Sequence, residues 1–465
     1  MAAESHTNPE TTVMPRVWDL TQPQIVRDGL SYLRGVSGAF RIWLLISVVL
    51  GLVGVVALII GPVLSGWGDR QPWTYVAVAF FYLMATVASA PIVVVSTRLT
   101  RGHWRRPMAR VSEMWAAAMI VPFILFILLL PLLSGTGNRP SIWFGWWASP
   151  WLWDFVLMLG LVIAGYGWLY ISSIPDFAVA RDMLEQDRGG RWTRLARGFY
   201  GTERNWLIFE KSVIVLGVFY SLLYIITMTV LAADFIMSLV PSYHSAIFPA
   251  WLTISGFEGG IATVIVTATI LRKWGGADEY LEREQFFALG KLQLAFGLLY
   301  FYFTWTDFII LWYGRMPWEI NLLHLLYFNR YGWLFATAVG LNFLWPLFLL
   351  IWTNVRRSIN GPFYAACGVL VGTLFDRIRY LSSSFSTGNV DFPVRELTNI
   401  PPTYYPDIWG VLVLIGMIFA AIAVVMLAFR VVPYPSIWEV TAGLWLRAKV
   451  RIHHVEMMII GKPDY

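Results

Sequence analysis

A chain of 465 residues that is 58% hydrophobic and 13% charged, with 25 Trp and a formal net charge of +6, has too little charge to cover a water-soluble globule, and a bilayer suits it better. The basic residues lie between apolar runs without a long aromatic-basic tract, which excludes nucleic-acid binding as the reason for the positive charge. The single cysteine, Cys367, excludes an internal disulfide, a haem-attachment CxxCH and a cysteine-ligated iron–sulfur cluster.

Residues 1–40 are polar, carry Arg16, Arg27 and Arg34, and lack an apolar core followed by a small-residue cleavage site. They read as a cytoplasmic tail rather than a signal peptide. Within it, PQIVRDGLSYL spaces Ile25, Leu30 and Leu33 on one face, which predicts a short interfacial helix.

Ten apolar runs follow, each long enough to cross roughly 30 Å of hydrocarbon. They are Ile42–Ser65, Trp73–Val95, Met114–Leu133, Trp151–Ile174, Ser212–Phe235, Ala246–Leu271, Phe286–Tyr313, Tyr331–Thr353, Ile359–Leu381 and Asp407–Ala428. The fold class is therefore an all-α integral membrane protein with ten spans over residues 41–430 and a cytoplasmic tail over 431–465. Asp376, Arg377 and Arg379 crowd the last turns of the ninth run. With the N-terminus inside, 27 of the 34 Lys and Arg fall on the cytoplasmic side, so both termini are expected there.

The richest inside loops are RLTRGHWRRPMARVSE and Pro175–Lys211. They read either as topology signals or as a dock for a soluble subunit. Trp143, Trp146, Trp147, Trp151, Trp153, Trp312, Tyr313 and Trp318 cluster at run ends, as aromatic belts do. His6, His103, His244, His324, His453 and His454 all fall in tails or loops, which argues against a transmembrane b-type haem. No GxxxxGK, HExxH or GxSxG occurs.

The polar residues within the spans carry the functional reading. Glu258 stands twelve residues into the run that begins at Ala246. An acid at that depth must be paired, protonated or facing a wet cavity. Gly256, Gly259 and Gly260 beside it are expected to let helices pack closely. Glu258, Asp234, Asp307, His244 and Lys291 are the candidate proton path. Asp154, Asp376, Arg377 and Arg379 are the candidate outer polar cluster, able to contact a quinol headgroup, pass protons or pair among themselves. A protonated Glu258 acting only as packing glue is the alternative.

RGHWRRPMARVSE after the second run, IPDFAVARD after the fourth and DFIMSLVPSYHSAIFPAW into the sixth resemble the NrfD/PsrC-like membrane subunits of bacterial respiratory complexes, from about Leu50 to Ser383. Two such copies, the ActC and ActF types, occur in alternative complex III, a quinol:electron-acceptor oxidoreductase. The ActC type binds quinol and is expected to have a His six residues before the acid at Asp234, where this chain has Met228. LGKLQLAF and IILWYGRMPWE are similar to the corresponding part of the ActF type, as is DFIMSLVPSY in part, without the Glu and His of that segment. ActF is therefore the nearer resemblance, with ActC second.

The resemblance implies two four-helix bundles, spans two to five and six to nine, flanked by spans one and ten. It implies a place in the bacterial cytoplasmic membrane and no metal in this chain. Haem c and iron–sulfur clusters would reside in partner subunits, namely c-type cytochromes and an iron–sulfur subunit beside an NrfD-like paralogue and lipid. The complex would take menaquinol or another quinol as substrate, and this copy would support assembly and proton translocation. A secondary transporter with its site at Glu258 is the rival of another class, although paired broken helices in two related halves are not evident. A scaffold without transport is the third reading.

Overall fold

The computed structural model describes residues 20–67, 69–133, 146–184, 190–329, 331–387, 397, 400–444, 447–452 and 455–460, with side chains as far as Leu444 except Trp318. His6, Arg16, Trp143, His453 and His454 lie outside the residues or side chains so described.

The chain is a helical membrane protein. Nine helices among the described residues are long and apolar enough to cross a bilayer: α2 (Gly38–Val63), α3 (Gln71–Leu99), α4 (His103–Leu132), α5 (Trp151–Leu184), α6 (Glu203–Leu239), α7 (Phe248–Trp274), α8 (Arg283–Gly314), α9 (Gly332–Leu350) and α11 (Ile408–Ala428). They are preceded by α1 (Gln22–Gly29). The ninth predicted run is also one continuous helix, α10 (Asn360–Ser386). Its buried Asp376, Arg377 and Arg379 keep it from qualifying on apolarity. A short helix, α12 (Ile437–Leu444), and an antiparallel hairpin of β1 (Arg447–Ile452) with β2 (Val455–Ile460) follow, so the segment expected as a plain tail has structure of its own.

Several helices outrun their apolar stretches. The third run was expected from Met114, but α4 begins at His103, and α5 continues to Leu184 rather than stopping near Ile174. Hydropathy marks only the portion in hydrocarbon, whereas backbone hydrogen bonding carries a helix on into the polar interface. The added turns are where Arg98, Arg110 and Asp176 sit.

Helix α3 packs on α4, α6, α7, α10 and α11; α5 packs on α4 and α6; α7 packs on α8 and α10; and α9 packs on α8 and α10. The most extensive pairing is α2 with α11. There a methyl added at Gly54 would lie 2.6 Å from the Gly416 Cα, so the two backbones touch. Side chains such as Val215 and Leu45, 68% and 63% exposed, face outward as lipid-facing residues do.

The spacing of Ile25, Leu30 and Leu33 does place them on one face, but that face is buried in protein. Tyr434 donates its backbone N–H to the Gly29 carbonyl, and Tyr32 donates its hydroxyl to the Gly275 carbonyl. The amphipathic stretch therefore docks on the α7–α8 loop and on the segment before α12, bringing the described N- and C-terminal regions to the same end of the helices.

Candidate functional site

Two buried clusters of charge lie within the helices. The first sits at the end that bears the terminal segments. Arg110, fully buried on α4, donates to the Asp176 carboxylate at 2.6 Å, to the Ser173 hydroxyl at 2.6 Å and to the Ser172 carbonyl at 3.1 Å, and pairs with Glu113 at 2.9 Å. Arg98 reaches Glu113 at 2.7 Å and also pairs with Glu439 of α12. Asp176 accepts further hydrogen bonds from Ser436 and from the Trp438 backbone at 3.0 and 3.1 Å. Part of the arginine-rich loop is therefore an internal clamp between α3, α4, α5 and α12. Both residues of the Arg110–Asp176 pair stand in the sequence motifs named above, Arg110 in RGHWRRPMARVSE and Asp176 in IPDFAVARD, yet their spacing in sequence gives no sign that they meet.

The second cluster lies among α7, α8, α9 and α10. Glycines place it. A methyl on Gly256 would meet the Tyr224 hydroxyl at 2.1 Å, and one on Gly259 the Ala85 carbonyl oxygen at 2.7 Å. One on Gly260 would meet the Ser89 hydroxyl at 2.5 Å. All three predicted glycines thus seat α7 against α3 and α6, and Met84–Ala88 of α3 is a π-helical turn at this contact. The same turn of α7 aims Glu258 the other way, toward α8.

Glu258 is fully buried and accepts one hydrogen bond, from the Gln293 amide at 3.5 Å. Its other oxygen has no hydrogen-bond partner, nor has the Gln293 Oε1. One turn on from Gln293, Gly297 lets two groups approach: a methyl there would lie 3.4 Å from Glu258 Oε1 and 3.2 Å from the Asn342 carbonyl oxygen. Asn342 stands in a π-helical turn, Gly340–Leu344, and donates to Asp376 at 3.1 Å.

Asp376 also accepts from Tyr300 at 2.5 Å and pairs with Arg379 at 2.9 Å. The Arg379 guanidinium lies over the Tyr327 ring, 5.3 Å from its centre. Tyr327 donates to Asp307 at 2.7 Å, and Ser245 donates to the other oxygen of Asp307 at 2.6 Å. Adjacent His244 is exposed. Polar groups thus follow one another from Glu258 to the end of α7 remote from the termini.

Among the predicted residues, Glu258, Asp376, Arg379 and Asp307 belong to this series, and His244 adjoins it only in sequence, next to Ser245. Arg377 adjoins it, donating to the Ser255 hydroxyl at 2.7 Å one turn before Glu258, while its Nε and Nη1 lack partners. It is Arg379, not Arg377, that pairs with Asp376, because residues three apart share a helix face and adjacent ones do not. Asp234 is buried near the end of α6.

Two of the candidate residues lie apart from this series. Lys291 is exposed, its ammonium 4.5 Å from the Phe287 ring centre, so it does not join Glu258. Gln293, two residues on and roughly opposite on the helix, does. Asp154 is buried on α5, which packs on α4 and α6, so it stands apart from the Asp376 group on α10.

Sequence reasoning missed Gln293, Asn342, Tyr300 and Tyr327. An amide in an apolar run, as in GLNFLWP and KLQLAF, was the available signal. No family model matches this chain. No curated protein is significantly similar to it.

Proposed function

We propose that this chain is an ActF-like, metal-free membrane subunit of an alternative complex III in a bacterial cytoplasmic membrane, and that its α7–α10 half conducts protons. The observation that carries the reading is the buried series from Glu258 through Asn342, Asp376 and Tyr327 to Asp307. A carboxyl held by one neutral amide can take up or release a proton without breaking an ion pair. Tyrosine hydroxyls and carboxylates farther along supply successive donors and acceptors.

With the terminal segments cytoplasmic, this series opens from mid-membrane toward the opposite, periplasmic face. The order of RGHWRRPMARVSE, IPDFAVARD and DFIMSLVPSYHSAIFPAW along the helices supports the family. The contacts of α3 and α5 with α4 and α6, of α7 with α8 and α10, and of α9 with α8 and α10, beside the α2–α11 pair, support the proposed layout of two four-helix groups and ten spans with α10 counted. Electrons from quinol would pass through haem c and iron–sulfur clusters in partner subunits. The quinol-binding ActC type fits less well, because buried Met228 offers a thioether where that type has a His, and a thioether is a poor hydrogen-bond partner for a quinol.

The experiment is gentle purification of the tagged chain from its native membrane, with subunit mass spectrometry and a reduced-minus-oxidised visible spectrum. Co-purifying c-type haem absorbance and an iron–sulfur subunit are expected. A colourless preparation lacking such partners, with other respiratory complexes intact, would overturn the assignment and favour a transporter centred on Glu258.

A further inference from the structure

A second feature lies at the terminus-bearing end, away from the Glu258 series. A cavity of about 400 Å³ is lined by Arg272 and Lys273 at the end of α7, Arg283 at the start of α8, and Asn354, Arg357 and Asn360 where the chain passes from α9 to α10. Four cations from three segments converge on it, and no carboxylate lines it. Arg272 is fixed in place by donating to the carbonyls of Asp278 and Leu281. Lys273 and Arg357 rest against the rings of Phe363 and Phe287, each 5.5 Å from the ring centre. Among the described residues no ion pair engages Lys273, Arg283 or Arg357.

Like charges held around a concavity need an anion to offset their repulsion, and arginine forks match phosphate oxygens. The surroundings indicate where the anion comes from. Trp274 and Trp352, 77% and 67% exposed, flank the cationic residues in sequence, and Phe348 and Ile351 are exposed on the adjoining turn of α9. Exposed Trp marks the headgroup level of a bilayer, and apolar side chains beside it offer a lane for acyl chains.

We propose that this cavity binds the phosphate of an anionic phospholipid, the headgroup among Arg272, Lys273, Arg283 and Arg357 and the chains along α9. The site depends on no redox role for the protein.

The test uses the full chain in neutral detergent, titrated with phosphatidylglycerol or phosphatidylcholine while thermal stability and native mass spectra are recorded. Phosphatidylglycerol is expected to bind and stabilise selectively. The double variant Arg283→Gln with Arg357→Gln should weaken that binding roughly tenfold or more. Arg194→Gln with Arg204→Gln, which removes equal charge from exposed positions elsewhere, should leave it unchanged. Equal binding of the two lipids, or equal loss in both double variants, would overturn the site. Failure of millimolar inorganic phosphate to compete supports the lipid. Displacement of the lipid by phosphate, with stabilisation by phosphate alone, would overturn the lipid assignment in favour of a soluble phosphate ligand.

Discussion

The Arg110 cluster and the Glu258 cluster both bury charge inside a membrane protein, yet they compensate it differently. Around Arg110 each acid faces an arginine: Glu113 lies 2.9 Å from Arg110 and 2.7 Å from Arg98, Asp176 lies 2.6 Å from Arg110, and Glu439 meets Arg98. Around Glu258, among the described residues, only Asp376 and Arg379 form an ion pair; Glu258 itself has an amide at 3.5 Å and Arg377 a hydroxyl at 2.7 Å. A cluster closed by opposite charges resists any change of protonation, because losing either charge strands the other. A carboxyl beside neutral groups does not. What separates the clamp from the proposed conducting site is thus the nature of the partners rather than the amount of buried charge.

The largest effect should come from breaking the clamp. Arg110→Ala leaves Asp176 and Glu113 without their shared cation, and removing one partner of a buried pair costs about 3–5 kcal/mol. The expected outcome is loss of monodisperse protein in detergent chromatography; near-normal thermal stability would show that the cluster is not structural. Next comes the helix contact outside both clusters. Gly416→Val places side-chain atoms where the Gly54 Cα already lies 2.3 Å from an added Cβ, and overpacking of this kind costs about 1–3 kcal/mol. A lowered melting temperature checks it.

The Glu258 side should respond in the opposite way. Glu258→Gln keeps the size and the Gln293 contact, so stability should stay close to wild type while proton release per electron in the proposed redox complex falls. An unchanged ratio would remove Glu258 from the proposed path. Gly297→Val sharpens the point, since it leaves every titratable group in place but inserts a side chain between Glu258 and Asn342. The same loss of proton release is expected from it, and full retention would sever the inferred link between those two residues.

The sequence carried the helices well and their meetings poorly. All ten predicted runs are helical, since an apolar stretch of that length has few other ways to satisfy its backbone. Glu258 and its glycines were legible for a related reason: an acid or a GFEGG step stands out against Leu, Ile and Phe. Arg110 with Asp176, and Asn342 with Asp376, were not legible. They join residues 66 and 34 positions apart across different helices, the second pair with Asn342 in a π-helical turn. Lys291 lies outside the buried series because sequence depth is not facing: a residue at the right height can still point outward.

The smallest effect concerns Glu439, which lies beyond the spanning helices. Burial alone would raise its carboxyl, but Arg98 beside it, with Arg105 and Arg106 nearby, draws it below the ordinary carboxylate range. A carboxyl lowered in the folded protein adds stability that is complete above its unfolded value, about 4.3 for Glu, and vanishes as the pH falls through the folded value. Docking of α12 onto α3 and α4 should therefore hold from neutral pH down to that range and loosen below it, seen as faster hydrogen exchange or proteolysis of residues 437–444. Glu113 and Asp176 belong to the same cluster, so Glu439→Gln is the needed comparison. It should weaken docking at neutral pH and flatten the acid response. A variant whose exchange keeps the full wild-type pH dependence would show that Glu439 does not set that response.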